Sequence, residues 1–167
     1  MIQSFITKER WPFIAILVSI AMLAAAHFFE TVMNLYPCKF CLRQREVYWA
    51  AAAIGAVAVL VSMRWPNPHI SRVASILLGG VFLTGAGVAG FHAGVEWGFF
   101  PALCERAVTD FDGGLLSELE KPQAIGSCDE APWVFLGLSM AGWNALVSVF
   151  LACLSFIAAT RSKEMKD

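Results

Sequence analysis

Cys38 and Cys41 stand three positions apart in Pro37-Cys38-Lys39-Phe40-Cys41, and Cys104 and Cys128 lie in the only other long polar stretch of the chain. A C-x-x-C pair supports redox exchange, half of a metal site, or a structural disulfide. A bridge between its two sulfurs closes almost no loop, so it restricts the unfolded chain little and is of the type that exchanges readily. Zinc held by all four cysteines fits poorly, because Cys104 and Cys128 are much farther apart than the roughly two to four residues of a zinc knuckle. Two inert disulfides remain an alternative. Exchange requires a thiolate, and a helix starting near Cys41 would place that sulfur at the positive end of the helix dipole. Arg45, four residues on, returns to the same face, while Arg43 points elsewhere, toward lipid headgroups.

These residues are set in a chain of 167 residues that is 58% hydrophobic and only 15% charged, with a mean hydropathy of +0.65. Such a composition belongs in a membrane. A bilayer core about 30 Å thick needs roughly 20 helical residues, and apolar runs near that length predict spans over 11–29, 47–63, 73–91 and 139–160. The apolar stretch leading into the last span begins earlier, and its first residues form the approach to a helix starting near Ser139. Lys8 and Arg10 followed by Ala24-Ala25-Ala26 imitate a signal peptide, but the apolar run is too long for one. The expectation is a single membrane domain over 1–167, an all-α bundle of four transmembrane helices with two outer loops, 30–46 and 92–132.

Both cysteine pairs then face the same side. Lys8, Arg10, Arg64, Arg72, Arg161, Lys163 and Lys166 lie on one side, against Lys39, Arg43, Arg45, Arg106 and Lys121 on the other. The positive-inside bias places both termini in the cytoplasm and the cysteine loops outside. In the second loop, Phe111, Leu115, Leu116 and Leu119 recur at helical spacing, which predicts a short amphipathic helix over 110–121 lying on the membrane surface. Gly90 and Gly94 form a small-xxx-small pattern that would let helices approach closely. Cys153, inside the last span, reads as an inert apolar side chain, and His27 as packing or interfacial. No basic patch points to nucleic acid.

The segment Pro37-Cys38-Lys39-Phe40-Cys41 with Gln44-Arg45, the later cysteine pair, and Trp133-Val134-Phe135-Leu136-Gly137-Leu138 entering the last span resemble the DsbB family of quinone-dependent disulfide-generating membrane proteins. The likeness covers nearly the whole chain. It implies a bacterial inner-membrane protein with periplasmic cysteine loops. It also implies a relay in which a periplasmic thioredoxin-like oxidase of the DsbA type attacks a Cys104–Cys128 disulfide at Cys104, and Cys128 exchanges with Cys38. Cys41 is then released as a thiolate facing a quinone, ubiquinone or menaquinone from the membrane pool, with Arg45 and His92 as quinone-binding residues and no metal. The family pattern often carries an acidic residue where Gln44 stands, and its second loop is slightly longer in some members. A vitamin K epoxide reductase-like enzyme would carry its active C-x-x-C late in the chain, a scaffold would use the cysteines only structurally, and a haem protein would use His27 and His92.

Overall fold

The computed structural model describes residues 10–101 and 126–160. Four helices dominate: α1 (Trp11–Thr31), α2 (Lys39–Arg64), α3 (Pro68–Glu96) and α4 (Met140–Thr160). Each is long and apolar enough to cross a membrane, which establishes the expected four-helix membrane bundle. The predicted surface helix over 110–121 lies outside the described residues.

Local signals start each helix. Pro12 sits in the first turn of α1, where its missing N–H costs no helical hydrogen bond. Cys38 is the N-cap of α2, and its sulfur accepts the Cys41 N–H at 3.2 Å. The Asn67 side chain accepts the His69 N–H at the start of α3. Before α4, a two-stranded hairpin pairs β1 (Val134–Phe135) with β2 (Leu138–Ser139). Its turn puts Leu136 at φ 52° and Gly137 at φ 80°, left-handed conformations at both central positions as in a type I′ turn. Ser139 then accepts the Gly142 N–H and opens α4. The apolar approach to the last span is therefore a hairpin.

Helices α1, α2 and α3 extend past their charge-free runs, and at the dithiol end α2 and α3 carry site residues with them. The first turns of α2 carry Cys41, Arg43, Arg45 and Glu46, and the last turns of α3 carry His92 and Glu96. Residues read as belonging to the outer loops are thus fixed on helical scaffolds, with positions set by packing rather than by loop conformation.

The outside of the bundle is greasy and the inside small. Phe13, Leu17, Ile20, Val57, Leu60, Leu83 and Phe150 are exposed, whereas Ala15, Ser19, Ala51, Ser75, Ser148, Ala152 and Ser155 are buried. Water would reverse this pattern; in lipid, small residues let helix backbones come close, and packing replaces hydrophobic exclusion as the cohesive force. Trp11 Nε1 donates to Ser155 Oγ at 2.9 Å, tying α1 to α4 in the interior. The closest approaches are at Gly55, Gly79 and Gly85, where an added Cβ would meet Ile16 and Pro12, Phe156, and Val47 respectively. The expected helix approach at Gly90 is not found, since nothing lies within 4 Å of a Cβ there, and Gly94 makes room for the Phe100 ring that follows α3. α3 packs extensively on α4, and α2 on both α1 and α3, but α1 and α4 barely touch.

A Cβ at Gly55 would sit 2.9 Å from the Pro12 carbonyl oxygen, a backbone atom that cannot turn away. Gly55→Val is expected to destabilise the bundle by about 1–3 kcal/mol through overpacking, read as a lower thermal unfolding midpoint in detergent. Gly87→Ala, which meets nothing within 4 Å, should leave that midpoint unchanged.

Candidate functional site

The dithiol is built by the start of α2. Cys38 is buried and Cys41 half-buried, both are free thiols, and their sulfurs lie 2.6 Å apart. Helical geometry makes this pairing: the N-cap sulfur turns back over the first turn, and three positions later the next sulfur reaches it. His92 comes from α3, its Nε2 3.5 Å from Cys38 Sγ. Phe40 lies edge-on to Phe91 and tilted against the His92 ring, closing the site on that side.

A chain of buried hydrogen bonds orients the imidazole. The Tyr48 hydroxyl donates to Asn144 Oδ1, and Asn144 Nδ2 donates to Gln44 Oε1 at 2.5 Å. With its oxygen used, Gln44 turns its amide nitrogen to His92 Nδ1 at 2.9 Å. His92 Nδ1 is then the acceptor, so the neutral ring carries its proton on Nε2, facing Cys38. A carboxylate at position 44 would accept from Nδ1–H and favour the other tautomer. Asn144 and Tyr48 went unremarked in the sequence, because each reads there as an ordinary helix residue, and Gln44 drew notice only as part of the motif and as a departure from the family pattern.

Glu96 is a further site residue that the sequence did not single out. Its Oε1 is 3.7 Å from His92 Nε2, its side chain is 3% exposed, and Oε2 is buried with no hydrogen-bond partner among the described residues. Its spacing of four from His92 on a helix was the available signal. Leaving a buried acceptor unmatched costs about 1–3 kcal/mol, which marks Glu96 as a group kept for something other than stability.

These residues line a cavity of about 320 Å³. It opens in the thin seam between α1 and α4, with Met22, Ala26 and Phe29 on one wall and Trp143, Asn144 and Val147 on the other. Cys41, His92, Glu96 and Arg45 are its chemically active lining, and Trp133 from the hairpin approach closes the rim by packing on Phe29. Arg45 faces the cavity as its spacing from Cys41 required, but its nearest partners are the Glu30 carboxylate and the Ala26 carbonyl, the latter at 3.2 Å. α1 therefore anchors it. Arg43 is exposed and paired with Glu46. His27 bonds its own helix through the Leu23 carbonyl at 2.8 Å and does not line the cavity, so it is not brought together with His92 there. Cys153 is exposed on α4.

Cys128 is buried and disulfide-bonded, while Cys104 lies outside the described residues. The segment leading to Cys128 lies directly on the dithiol loop: a Cβ at Gly126 would run into the Tyr36 carbonyl oxygen and come within 3.5 Å of the Cys38 nitrogen. Only a residue without a side chain fits there.

A dithiol at a helix start, turned into an apolar cavity between membrane helices, defines a membrane-embedded thiol–disulfide enzyme. The family model described as "Disulfide bond formation protein DsbB" matches residues 8–158. "Disulfide bond formation protein B" of Marinobacter nauticus is 32% identical, covering 95% of this chain and 96% of that relative. The protein of the same name from Nitrosococcus oceani is 30% identical over 87% of this chain and 88% of its own length. The chain belongs to the DsbB family. It is a multi-pass inner-membrane protein of disulfide bond formation, with the disulfide oxidoreductase activity of that family.

The hydrogen bond from Cys41 holds the Cys38 thiol down, to about 4, with the His92 contact adding to it and burial opposing both. A lowered value means that the thiolate persists from neutral pH into acid and is lost only as pH falls toward that value. The thiolate ultraviolet absorption that reduced protein shows over its Cys38→Ser variant should therefore survive well below neutrality. Cys41→Ala, which deletes the largest contribution, should move the transition upward. A transition near the ordinary thiol value of about 8.5 in the unaltered protein would contradict this geometry.

Proposed function

We propose that this protein reoxidises a periplasmic thioredoxin-like dithiol oxidase of the DsbA type and delivers the electron pair to a membrane quinone. The observation carrying this reading is that Cys41, whose sulfur is adjacent to that of Cys38, lines an apolar cavity walled by the membrane-spanning helices α1 and α4. Its volume and its mainly apolar lining with a few polar groups suit a small planar ring, a feature that ubiquinone and menaquinone share. A quinone supplies the two-electron, two-proton acceptor that thiol exchange alone lacks.

The chain's own residues divide the work. A partner thiolate attacks Cys104 of a Cys104–Cys128 disulfide and releases Cys128, which attacks Cys38 of the oxidised pair and releases Cys41 as a thiolate. The partner's second thiol then frees Cys104, leaving the partner oxidised, and Cys104 recaptures Cys128 from Cys38. Each exchange forms one S–S bond and breaks one, so the electron pair comes to rest on Cys38 and Cys41. The close seat of Gly126 on the Cys38 loop supports the Cys128 to Cys38 step. Cys41 faces the cavity, His92 holds a proton on Nε2 beside the dithiol, and Arg45, braced by Glu30, sets a positive charge in the cavity wall. The balance of basic residues supports termini in the cytoplasm and cysteine segments outside, which for an inner-membrane protein is the periplasm.

Spheroplasts given the reduced partner from outside should oxidise it in proportion to quinone reduced. Cys38→Ser and Cys41→Ser should each abolish this, and Cys153→Ser should not. Full turnover by the Cys41 variant would refute the relay, and turnover only after lysis would invert the topology.

Arg45 separates a local charge effect from a general one. A hydrogen bond to a charged group is worth about 1.5–3 kcal/mol, so Arg45→Met should raise the quinone concentration needed by roughly ten- to a hundredfold. Arg43→Met removes an exposed charge paired with Glu46 and should leave that concentration unchanged. Equal effects would mean that Arg45 acts only at long range.

A further inference from the structure

We infer that the reduced dithiol is also a metal site: Cys38, Cys41, His92 and Glu96 form a four-ligand pocket for a thiophilic divalent cation of the Zn²⁺ type, open only while the cysteines are reduced. The cysteine sulfurs and His92 Nε2 all lie within 4.8 Å of one another, whereas the Glu96 carboxylate stands outside that mutual spacing and must swing toward the sulfurs to complete the set. Tetrahedral zinc with Zn–S about 2.3 Å and Zn–N about 2.0–2.1 Å has an S···N edge of about 3.5–3.6 Å. Cys38 Sγ and His92 Nε2 already stand 3.5 Å apart. The S···S edge of such a site is about 3.8 Å, so the 2.6 Å separation must widen, which a side-chain rotation of the half-buried Cys41 toward the cavity accomplishes.

Glu96 is the independent observation. Its Oε1 is 3.7 Å from His92 Nε2, against an N···O edge of about 3.3–3.4 Å in a tetrahedral site. Its Oε2 is buried and has no hydrogen-bond partner among the described residues. A divalent cation with two thiolates and one neutral imidazole is already charge-balanced and leaves one coordination position, which a carboxylate fills, giving the site one net negative charge. Two thiolates, an imidazole and a carboxylate suit zinc rather than calcium or magnesium, which prefer all-oxygen shells.

Coordination through Nε2 requires the His92 proton on Nδ1, opposite to the metal-free tautomer. The amide chain can reverse as a unit. Gln44 presents its oxygen to Nδ1–H and its nitrogen to Asn144, and Asn144 turns its nitrogen to Tyr48. The Tyr48 hydroxyl then donates to Ser148 Oγ, 3.3 Å away. Binding replaces the protons of whichever thiols are still protonated by Zn–S bonds, and no oxidation state changes. An oxidised Cys38–Cys41 pair offers no thiolate, so disulfide and metal exclude each other, and the ion holds the dithiol reduced and halts its exchange.

The test is metal uptake by full-length protein in detergent carrying Cys104→Ser and Cys128→Ser, which removes the other dithiol. After reduction and removal of reductant, equilibrium dialysis should find one Zn²⁺ per chain. Co²⁺ in its place should show sulfur-to-cobalt charge-transfer absorption with a tetrahedral d–d band. Oxidising the Cys38–Cys41 pair with a small disulfide should abolish uptake, a comparison that alters no ligand by mutation. Cys38→Ser should abolish it as well, and His92→Phe and Glu96→Gln should each weaken it by about tenfold or more. No uptake by the reduced protein, equal uptake by the oxidised protein, or uptake surviving Cys38→Ser would overturn the site. Parental affinity in either the His92 or the Glu96 variant would overturn the four-ligand set. No quinone or partner enters the measurement, so its failure leaves the proposed thiol–quinone activity standing.

Discussion

The buried chain from Tyr48 through Asn144 and Gln44 to His92 is the constraint on which the site depends. It crosses α2, α4 and α3 through side chains that are all buried, so its links are made between partners within the protein. Amides suit this use because each both accepts and donates, and the chain therefore has a direction. That direction puts the His92 proton on the side of Cys38. A group distant from the sulfur thus governs what the sulfur meets.

The seam between α1 and α4 is the complementary feature. Elsewhere the helices close on one another through glycine, alanine and serine, and Gly55, Gly79 and Gly85 let side chains and backbone of the neighbouring helix come into contact. Toward the dithiol end this small-residue packing gives way to Met22, Phe29, Trp143 and Val147, which stand around a space instead of filling it. Trp11 and Ser155 hold the two helices together away from that space. The bundle is closed where it needs cohesion and open where Cys41 lines the cavity. Arg45, tied to α1 by Glu30, links the wall of that opening to the helix bearing the dithiol.

The loop side of the site obeys the same economy of space. Cys38 and Cys128 are both nearly inaccessible, so the proposed exchange between them would depend on how the two segments are seated rather than on diffusion of exposed thiols. Gly126 allows the Cys128 segment to lie against the backbone of the Cys38 loop, and the hairpin with its left-handed turn brings the chain from that segment back to the start of α4.

Much of this was legible in the chain itself. Hydropathy is a local property, and a membrane span needs only enough consecutive apolar residues, so the four helices could be read from the sequence. The C-x-x-C spacing is local too, and so is the return of Arg45 to the cavity face four residues after Cys41. Loop boundaries were read less well, because charges near a span end do not stop a helix that packing supports; α2 and α3 continue through theirs. What only the tertiary structure decided is the company the sulfurs keep. Gln44 meets His92 across 48 positions and Asn144 across 100, and Glu96 stands out only once its Oε2 is seen buried without a hydrogen-bond partner among the described residues. A sequence lists which groups are available to react, but burial and partnership between distant helices determine their protonation and direction, because both depend on the solvent that packing removes.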